Sequence, residues 1–364
     1  MASGTVNARS VAAWRGPVVR SLHMDMAANS AEGRQMTRRL GLGIDYGGTK
    51  MLAAVVDIDT GQVLGTSKKR SRAVDSSDEL LRRLYDLGDA ALGDAGIASN
   101  ELTGIGVGIA GQVDAERGIL LGTPNLSQAT VDLPLAASLS SHFGVPTQLR
   151  NDVQIAASGE LHFGAGKGIG DFLCVFVGTG IGGAIVQNGE LVTGATATAG
   201  EIGHLIIQAD GRLCGCGGRG HLEAYASRTA ITRSLLGDLK RGRESILTEL
   251  IPAPSEDAPG GTAIRSGILA KAVAADDPLV TETIIQAGHY LGLGLASAIN
   301  LLNPTRIIMG GGVIEAVDRL FEVASTHARR EALPVPGRGV EIVKAKLGDN
   351  AGVIGAALIG ADAA

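Results

Sequence analysis

The sequence predicts an α/β protein built from two domains of like architecture, and three observations carry that prediction. The chain has 364 residues, long enough for two separate cores. Short apolar strands alternate with helical stretches, the pattern of an α/β layer. One arrangement also occurs twice: a strand, a glycine-threonine loop, a second strand, a turn and a third strand, first from residue 40 and again from residue 172.

The elements follow in order. Residues 40–44 form a short apolar strand that ends in Asp45-Tyr46-Gly47-Gly48-Thr49. Strand 51–56, the turn Asp59-Thr60-Gly61 and a strand from Gln62 complete the first occurrence. Ser76 and Glu79 make a capping box ahead of Leu80, Leu84 and Leu87, which recur at helical spacing. Strands at 104–109 and 146–149 alternate with helices at 135–143 and 153–162. The second occurrence runs through strand 172–177, the loop Gly178-Thr179-Gly180-Ile181-Gly182-Gly183, strand 184–187 and the hairpin turn Asn188-Gly189. Beyond it, residues 237–261 read as a surface helix and loop. A long helix at 282–302 stops at Asn303-Pro304. Strand 306–309 leads into Gly310-Gly311-Gly312, and 351–359 is a helix of small residues.

Composition excludes several classes. Apolar residues make up 45% and charged residues 19%, with no apolar run near the roughly 20 residues of a membrane span. A soluble globular protein with no membrane partner is expected. The net charge of −5 predicts no nucleic-acid partner, whose mark is a basic face or an aromatic platform. Glycine, at 54 residues, is about twice ordinary usage; it is expected at strand ends, where a backbone turns or approaches a ligand. Three cysteines do not make a disulfide framework, and a cytoplasmic location is inferred. Cys174 reads as core. Residues 1–38 hold five arginines against Asp25 and Glu32 without periodicity, and read as a flexible extension ahead of the fold.

Three groups of residues carry chemistry. Backbone N–H groups of a glycine loop wrap phosphate oxygens, and a threonine hydroxyl adds one more donor. Neither glycine-threonine loop has P-loop or Rossmann spacing, because each leads into a strand rather than a helix. Each alone could be a hairpin turn; two in equivalent positions, with Asp45 placed to hold a hydrated Mg²⁺, favour phosphate binding. Asn151-Asp152 stands at a strand end and a helix start, where either residue caps well. On the motif alone the cap is the better reading, although such a carboxylate could also accept a proton from a sugar hydroxyl. Glu201, His204, Cys214, Cys216, His221 and Glu223 are the densest cluster. His204, Cys214, Cys216 and His221 fit a closed, structural zinc site, leaving Glu201 and Glu223 as acceptors for sugar hydroxyls.

As a set these residues resemble the ROK family of sugar kinases and sugar-responsive regulators, from about residue 40 to the end of the chain. The resemblance rests on Asp45-Tyr46-Gly47-Gly48-Thr49-Lys50, Asn151-Asp152, Gly178-Thr179-Gly180-Ile181-Gly182-Gly183 and Ala199-Gly200-Glu201-Ile202-Gly203-His204. Its most diagnostic stretch is Cys214-Gly215-Cys216-Gly217-Gly218-Arg219-Gly220-His221-Leu222-Glu223. It implies an actin-like ATPase fold, two RNase H-like domains with sugar and ATP in the cleft between them. Residues 39–150 would form the first domain and 151–348 the second, with 349–364 returning to the first. It makes Asp152 the catalytic base, against the cap-only reading. Thr123, Asn125, Asn151, Asp152, Glu201, His204 and Glu223 would line the sugar site. Asp45, Gly47, Gly48, Thr49 and Lys50 would serve the nucleotide phosphates from one side, and Gly178, Thr179, Gly180 and Gly182 from the other. Gly311 and Gly312 would approach the adenosine. His221 stands where the family usually has a third cysteine, so a Cys₂His₂ site is expected.

The activity so implied is transfer of the ATP γ-phosphate to the 6-hydroxyl of glucose or a related hexose, by a homo-oligomer, a dimer. Fructose, N-acetylmannosamine and other sugars are the alternative substrates. The alternative of another class is a sugar-responsive transcriptional repressor, whose helix-turn-helix the extension of 38 residues is too short to supply.

Overall fold

The computed structural model describes residues 38–48, 50–71, 76–122, 132–251 and 264–362. The extension 1–37, Thr49, Thr123, Asn125 and much of the 237–261 segment lie outside the described residues.

β1 (Leu40–Tyr46) buries every side chain except the half-buried Asp45, and turns through Gly47 and Gly48 toward β2 (Lys50–Asp57) and β3 (Val63–Arg70). α1 (Ser77–Ala95) begins where the Ser76 hydroxyl accepts the Glu79 N–H at 3.2 Å; Leu80, Leu84 and Leu87 face the core. β4 (Leu102–Ile109), the hairpin β5 (Gln112–Asp114) and β6 (Ile119–Gly122), α2 (Leu135–Phe143) and β7 (Thr147–Asn151) follow. α3 (Asp152–Phe163) then leads to β8 (Phe172–Val177), β9 (Ile181–Gln187) and β10 (Glu190–Val192). Five helices come next: α4 (Glu223–Ala226), α5 (Arg228–Lys240), α6 (Leu247–Leu250), α7 (Ser266–Ala274) and α8 (Pro278–Leu302). β11 (Arg306–Gly310), α9 (Gly312–Ala316), α10 (Asp318–Glu331), α11 (Pro334–Gly339), β12 (Glu341–Lys344) and α12 (Ala351–Ala361) end the chain.

The two five-stranded sheets have orders β3-β2-β1-β4-β7 and β10-β9-β8-β11-β12. In each, three strands meander antiparallel and two more add in parallel. The repeat seen in the sequence is therefore a repeat of topology. The helix after each sheet's last strand belongs to the other sheet. α3 follows β7, yet Val153, Ala157 and Leu161 pack with Phe172, Cys174, Ala184 and Ile308 of the second sheet. α12 follows β12, yet Val353, Ile354, Ala357 and Leu358 pack on Leu52, Ala54 and Val56 of the first.

Three expectations are corrected. Many glycines sit inside strands rather than at their ends: a Cβ at Gly43 or Gly106 would stand 1.8 Å from the carbonyl oxygen of Val353 or Ala356. Helix backbone lies directly on strand backbone there, which only glycine permits. The second glycine loop is shorter than expected, because Ile181, Gly182 and Gly183 already pair with Val177, Phe176 and Val175 in β9. α8 starts earlier than periodicity suggests, with Pro278 in its first turn and Asp277 accepting the Val280 N–H at 2.9 Å.

Candidate active site

The site forms where β1, β7 and β8 end and α3 begins. At the first loop the Gly47 N–H donates to the Lys50 carbonyl at 3.0 Å, and the Ser71 hydroxyl to the Gly47 carbonyl at 2.6 Å. Lys50 pairs with Asp349, which also takes Lys68 at 3.1 Å. Asp349 escaped the sequence reading: nothing local marks it, and it lies at the far end of the chain before α12.

Asp45 near the end of β1 and Asp152 directly after β7 stand on either side of β4. Asp45 is in register with Gly108 of β4, and a Cβ at Gly108 would lie 3.5 Å from the Asp152 Cα. Burial pushes the Asp45 carboxyl up to about 7; the Asp152 charge adds to the effect and Lys50 opposes it. Burial likewise pushes Asp152 up to about 6, against the hydrogen bond from the Val153 N–H, with Glu201 adding. The Asn151 side chain caps α3, accepting that same N–H at 2.9 Å. The cap is thus Asn151, and Asp152 is the first residue of the helix. Two half-buried acids across one strand suit a divalent cation, and Mg²⁺ is commonly held by one or two carboxylates plus phosphate oxygens.

The second loop is anchored from two sides. The Gly178 N–H closes the turn onto the Gly180 carbonyl at 2.9 Å. The Arg228 N–H takes the Gly178 carbonyl at 3.0 Å, and the Thr229 hydroxyl takes the Thr179 carbonyl at 2.7 Å. The Arg228 guanidinium donates to the Thr179 hydroxyl at 2.7 Å. On the other side the Ile181 N–H donates to Glu223 at 2.9 Å. A Cβ at Gly182 would stand 2.5 Å from Val153, so the strand that leaves the loop touches the helix that carries Asp152. Gly311, at φ +88°, approaches the Val177 carbonyl, so its lack of a side chain already has a cause within the fold. Arg228 was missed by the sequence reading; its signal is a basic residue directly after the buried cap Ser227 of α5.

Facing this loop, His204, Cys214, Cys216 and His221 place one donor atom each within 4.8 Å of all the others. The two Nδ1 atoms are 3.3 Å apart, Cys216 Sγ is 3.2 Å from His221 Nδ1, and Cys214 Sγ is 4.0 Å from His204 Nδ1. A tetrahedral zinc with N and S ligands has edges of about 3.3–3.8 Å, so the donor set fits that ion. His204 turns its Nε2 toward Glu201, 3.9 Å away. The Cys214 thiol faces the second oxygen of Glu223 at 3.6 Å. Glu223 thus joins the Cys/His cluster to the glycine loop, a link no spacing in the sequence announces.

Two RNase H-like sheets, each ending in a glycine loop with acids between them, define an actin-like ATPase fold. The sequence profile of the ROK family matches residues 41–363, and the chain belongs to that family. It is similar to the glucokinase of Halalkalibacterium halodurans, 33% identical over 88% of this chain and 94% of that protein. It also resembles a putative xylose repressor of Caldicellulosiruptor sp., 28% identical over 88% of this chain and 78% of that one. The solved structure of a ROK family glucokinase from Streptomyces griseus, in complex with glucose and AMPPNP, matches with a TM-score of 0.77. That structure is 31% identical, over 89% of this chain and 99% of its own.

Proposed function

We propose that the protein is an ATP-dependent hexokinase that transfers the γ-phosphate of ATP to the 6-hydroxyl of glucose. The observation that carries the reading is Asp152: a half-buried carboxylate, raised to about 6, at the start of helix α3, where that helix meets β4 and the strand that leaves the second glycine loop. A base near the working pH takes a proton best. As the sugar oxygen attacks, Asp152 takes its proton, the new O–P bond forms, and the bond to the β-bridging oxygen breaks to leave ADP. Asn151, Glu201, His204 and Glu223 hold the sugar hydroxyls, together with Thr123 and Asn125. Loop 45–50 and the turn Gly178-Thr179-Gly180 hold the phosphates by their N–H groups, with Gly182 behind them, while Gly311 and Gly312 approach the adenosine. Asp45 would hold Mg²⁺, whose charge would offset that of the phosphates. His204, Cys214, Cys216 and His221 would hold a zinc ion that takes no part in the transfer and would fix the loop that presents His204 and Glu223.

The two sheets would be the two domains, with 349–364 returning to the first, and the working form a cytoplasmic homodimer. Among the described residues no helix is long and apolar enough to cross a membrane. ADP release across a panel of hexoses tests the reading, with glucose expected to give the highest kcat/KM. The repressor relatives favour one other reading, sugar-responsive DNA binding. Sugar-dependent retention of operator DNA without ADP release would establish that reading instead.

A further inference from the structure

We propose that Arg228 is the cation of the second phosphate loop, its guanidinium contacting the β- or γ-phosphate of a nucleoside triphosphate held over Gly178-Thr179-Gly180. The inference rests on the kinase reading and deepens it.

Four bonds fix Arg228 at this place. Its own N–H takes the Gly178 carbonyl at 3.0 Å, so the residue cannot leave without opening the loop. The next residue takes the Thr179 carbonyl twice, at 2.7 Å from the Thr229 hydroxyl and 3.4 Å from its N–H. The loop's carbonyls therefore turn toward the start of α5. The guanidinium donates to the Thr179 hydroxyl at 2.7 Å, so the hydroxyl accepts there and directs its proton away. A hydroxyl and a guanidinium held together at a glycine turn suit an anion with several oxygens. Ser227, 1% exposed, caps α5 through the Ala230 N–H at 3.1 Å, so the 13-residue helix begins at this loop with its positive end there. Burial holds the Arg228 pKa below its usual value, and an incoming phosphate would offset that cost.

Nucleotide affinities of the full chain test this. Arg228→Ala should weaken ATP and AMPPNP about 10- to 100-fold, the worth of one charge-assisted hydrogen bond. It should leave AMP, which lacks the β- and γ-phosphates, and glucose within about twofold, and Arg228→Lys should recover part of the loss. A guanidinium that only positions Thr179 would weaken AMP along with ATP. It would also make Thr179→Val combined with Arg228→Ala no worse than Thr179→Val alone. Either of those results, or unchanged ATP affinity in a folded Arg228→Ala protein, overturns the proposal. A wild-type protein that turns over sugar while Arg228→Ala matches it sinks this inference alone. One that neither binds ATP nor releases ADP sinks the kinase reading with it.

Discussion

The two sheets share a strand order and are covered by exchanged helices, yet they meet those helices in different ways. α12 lies on the first sheet backbone to backbone, through Gly43 and Gly106. α3 meets the second sheet through side chains, Val153, Ala157 and Leu161 against Phe172, Cys174 and Ile308. The loops differ as well. The first is held by exposed ion pairs to Asp349, the second by backbone bonds to Arg228 and Glu223. One topology thus carries a first half whose helix lies backbone on backbone at Gly43 and Gly106, and a second half whose loop is held by bonds to Arg228 and Glu223.

The largest expected effect lies in the first sheet. Gly106→Ala puts a methyl 1.8 Å from the Ala356 oxygen, and neither strand nor helix backbone can yield as a side chain could. It should leave little soluble folded protein. Ala157→Val in α3, also fully buried, adds volume against side chains and should cost about 1–3 kcal/mol. Chemical denaturation compares the two, and equal losses would dissolve the distinction.

Asp152→Asn should lower kcat about 10²-fold or more while glucose still binds, because an amide keeps hydrogen bonding but takes no proton. It should also raise the melting temperature. The folded carboxyl titrates near 6 against an ordinary 3.8, so between those values the folded state binds more protons and stability falls as pH rises. Above about pH 6 the buried charge is a standing cost that the amide removes. Activity has the opposite slope: kcat/KM should fall as pH drops through about 6. A wild-type kcat in Asp152→Asn takes Asp152 out of the mechanism.

Much of this was legible in the residues, for identifiable reasons. Ser76 with Glu79, Asn188-Gly189 and the Leu80-Leu84-Leu87 spacing are local signals, and each element formed where it pointed. The Cys214-x-Cys216 cluster was legible because donors for one ion lie close in sequence. What stayed hidden depends on distant partners. Mid-strand glycines look like turn residues until α12 is known to lie on them. Asp349 enters through contacts with β2 and β3, and Arg228 through the loop that follows β8. Glu223 reads as a sugar acceptor, and only the fold shows its oxygens divided between Ile181 and the Cys214 thiol.

That division makes the proposed zinc cluster the next test. Cys216→Ser, or chelation, should raise the KM for glucose through His204 and lower thermal stability. Through Glu223 it should also raise the KM for ATP, by a smaller factor. His221→Cys should keep the metal and most activity, since a thiolate is an equally good zinc ligand. Elemental analysis of untagged protein should give one zinc per chain. A content far below one equivalent, with no gain on adding zinc, would mean that the loop is held by something else.

The smallest effect is expected at the other tether. Lys68 is 57% exposed and its partner Asp349 54%, so water and salt screen the pair. Exposed pairs of this kind contribute about 0–1 kcal/mol, and the contribution fades as salt rises. Lys68→Met should therefore leave the melting temperature nearly unchanged and kcat/KM for ATP within about twofold, with even that difference gone in high salt. Lys50 remains on Asp349 in this variant, so the first loop keeps its nearer anchor. Glu223→Gln removes a charge that accepts a backbone N–H at the second loop, and should cost more in ATP affinity than Lys68→Met at every salt concentration. If Lys68→Met proves the more damaging, and stays so in high salt, the first loop depends on its ion pairs as heavily as the second does on its backbone bonds.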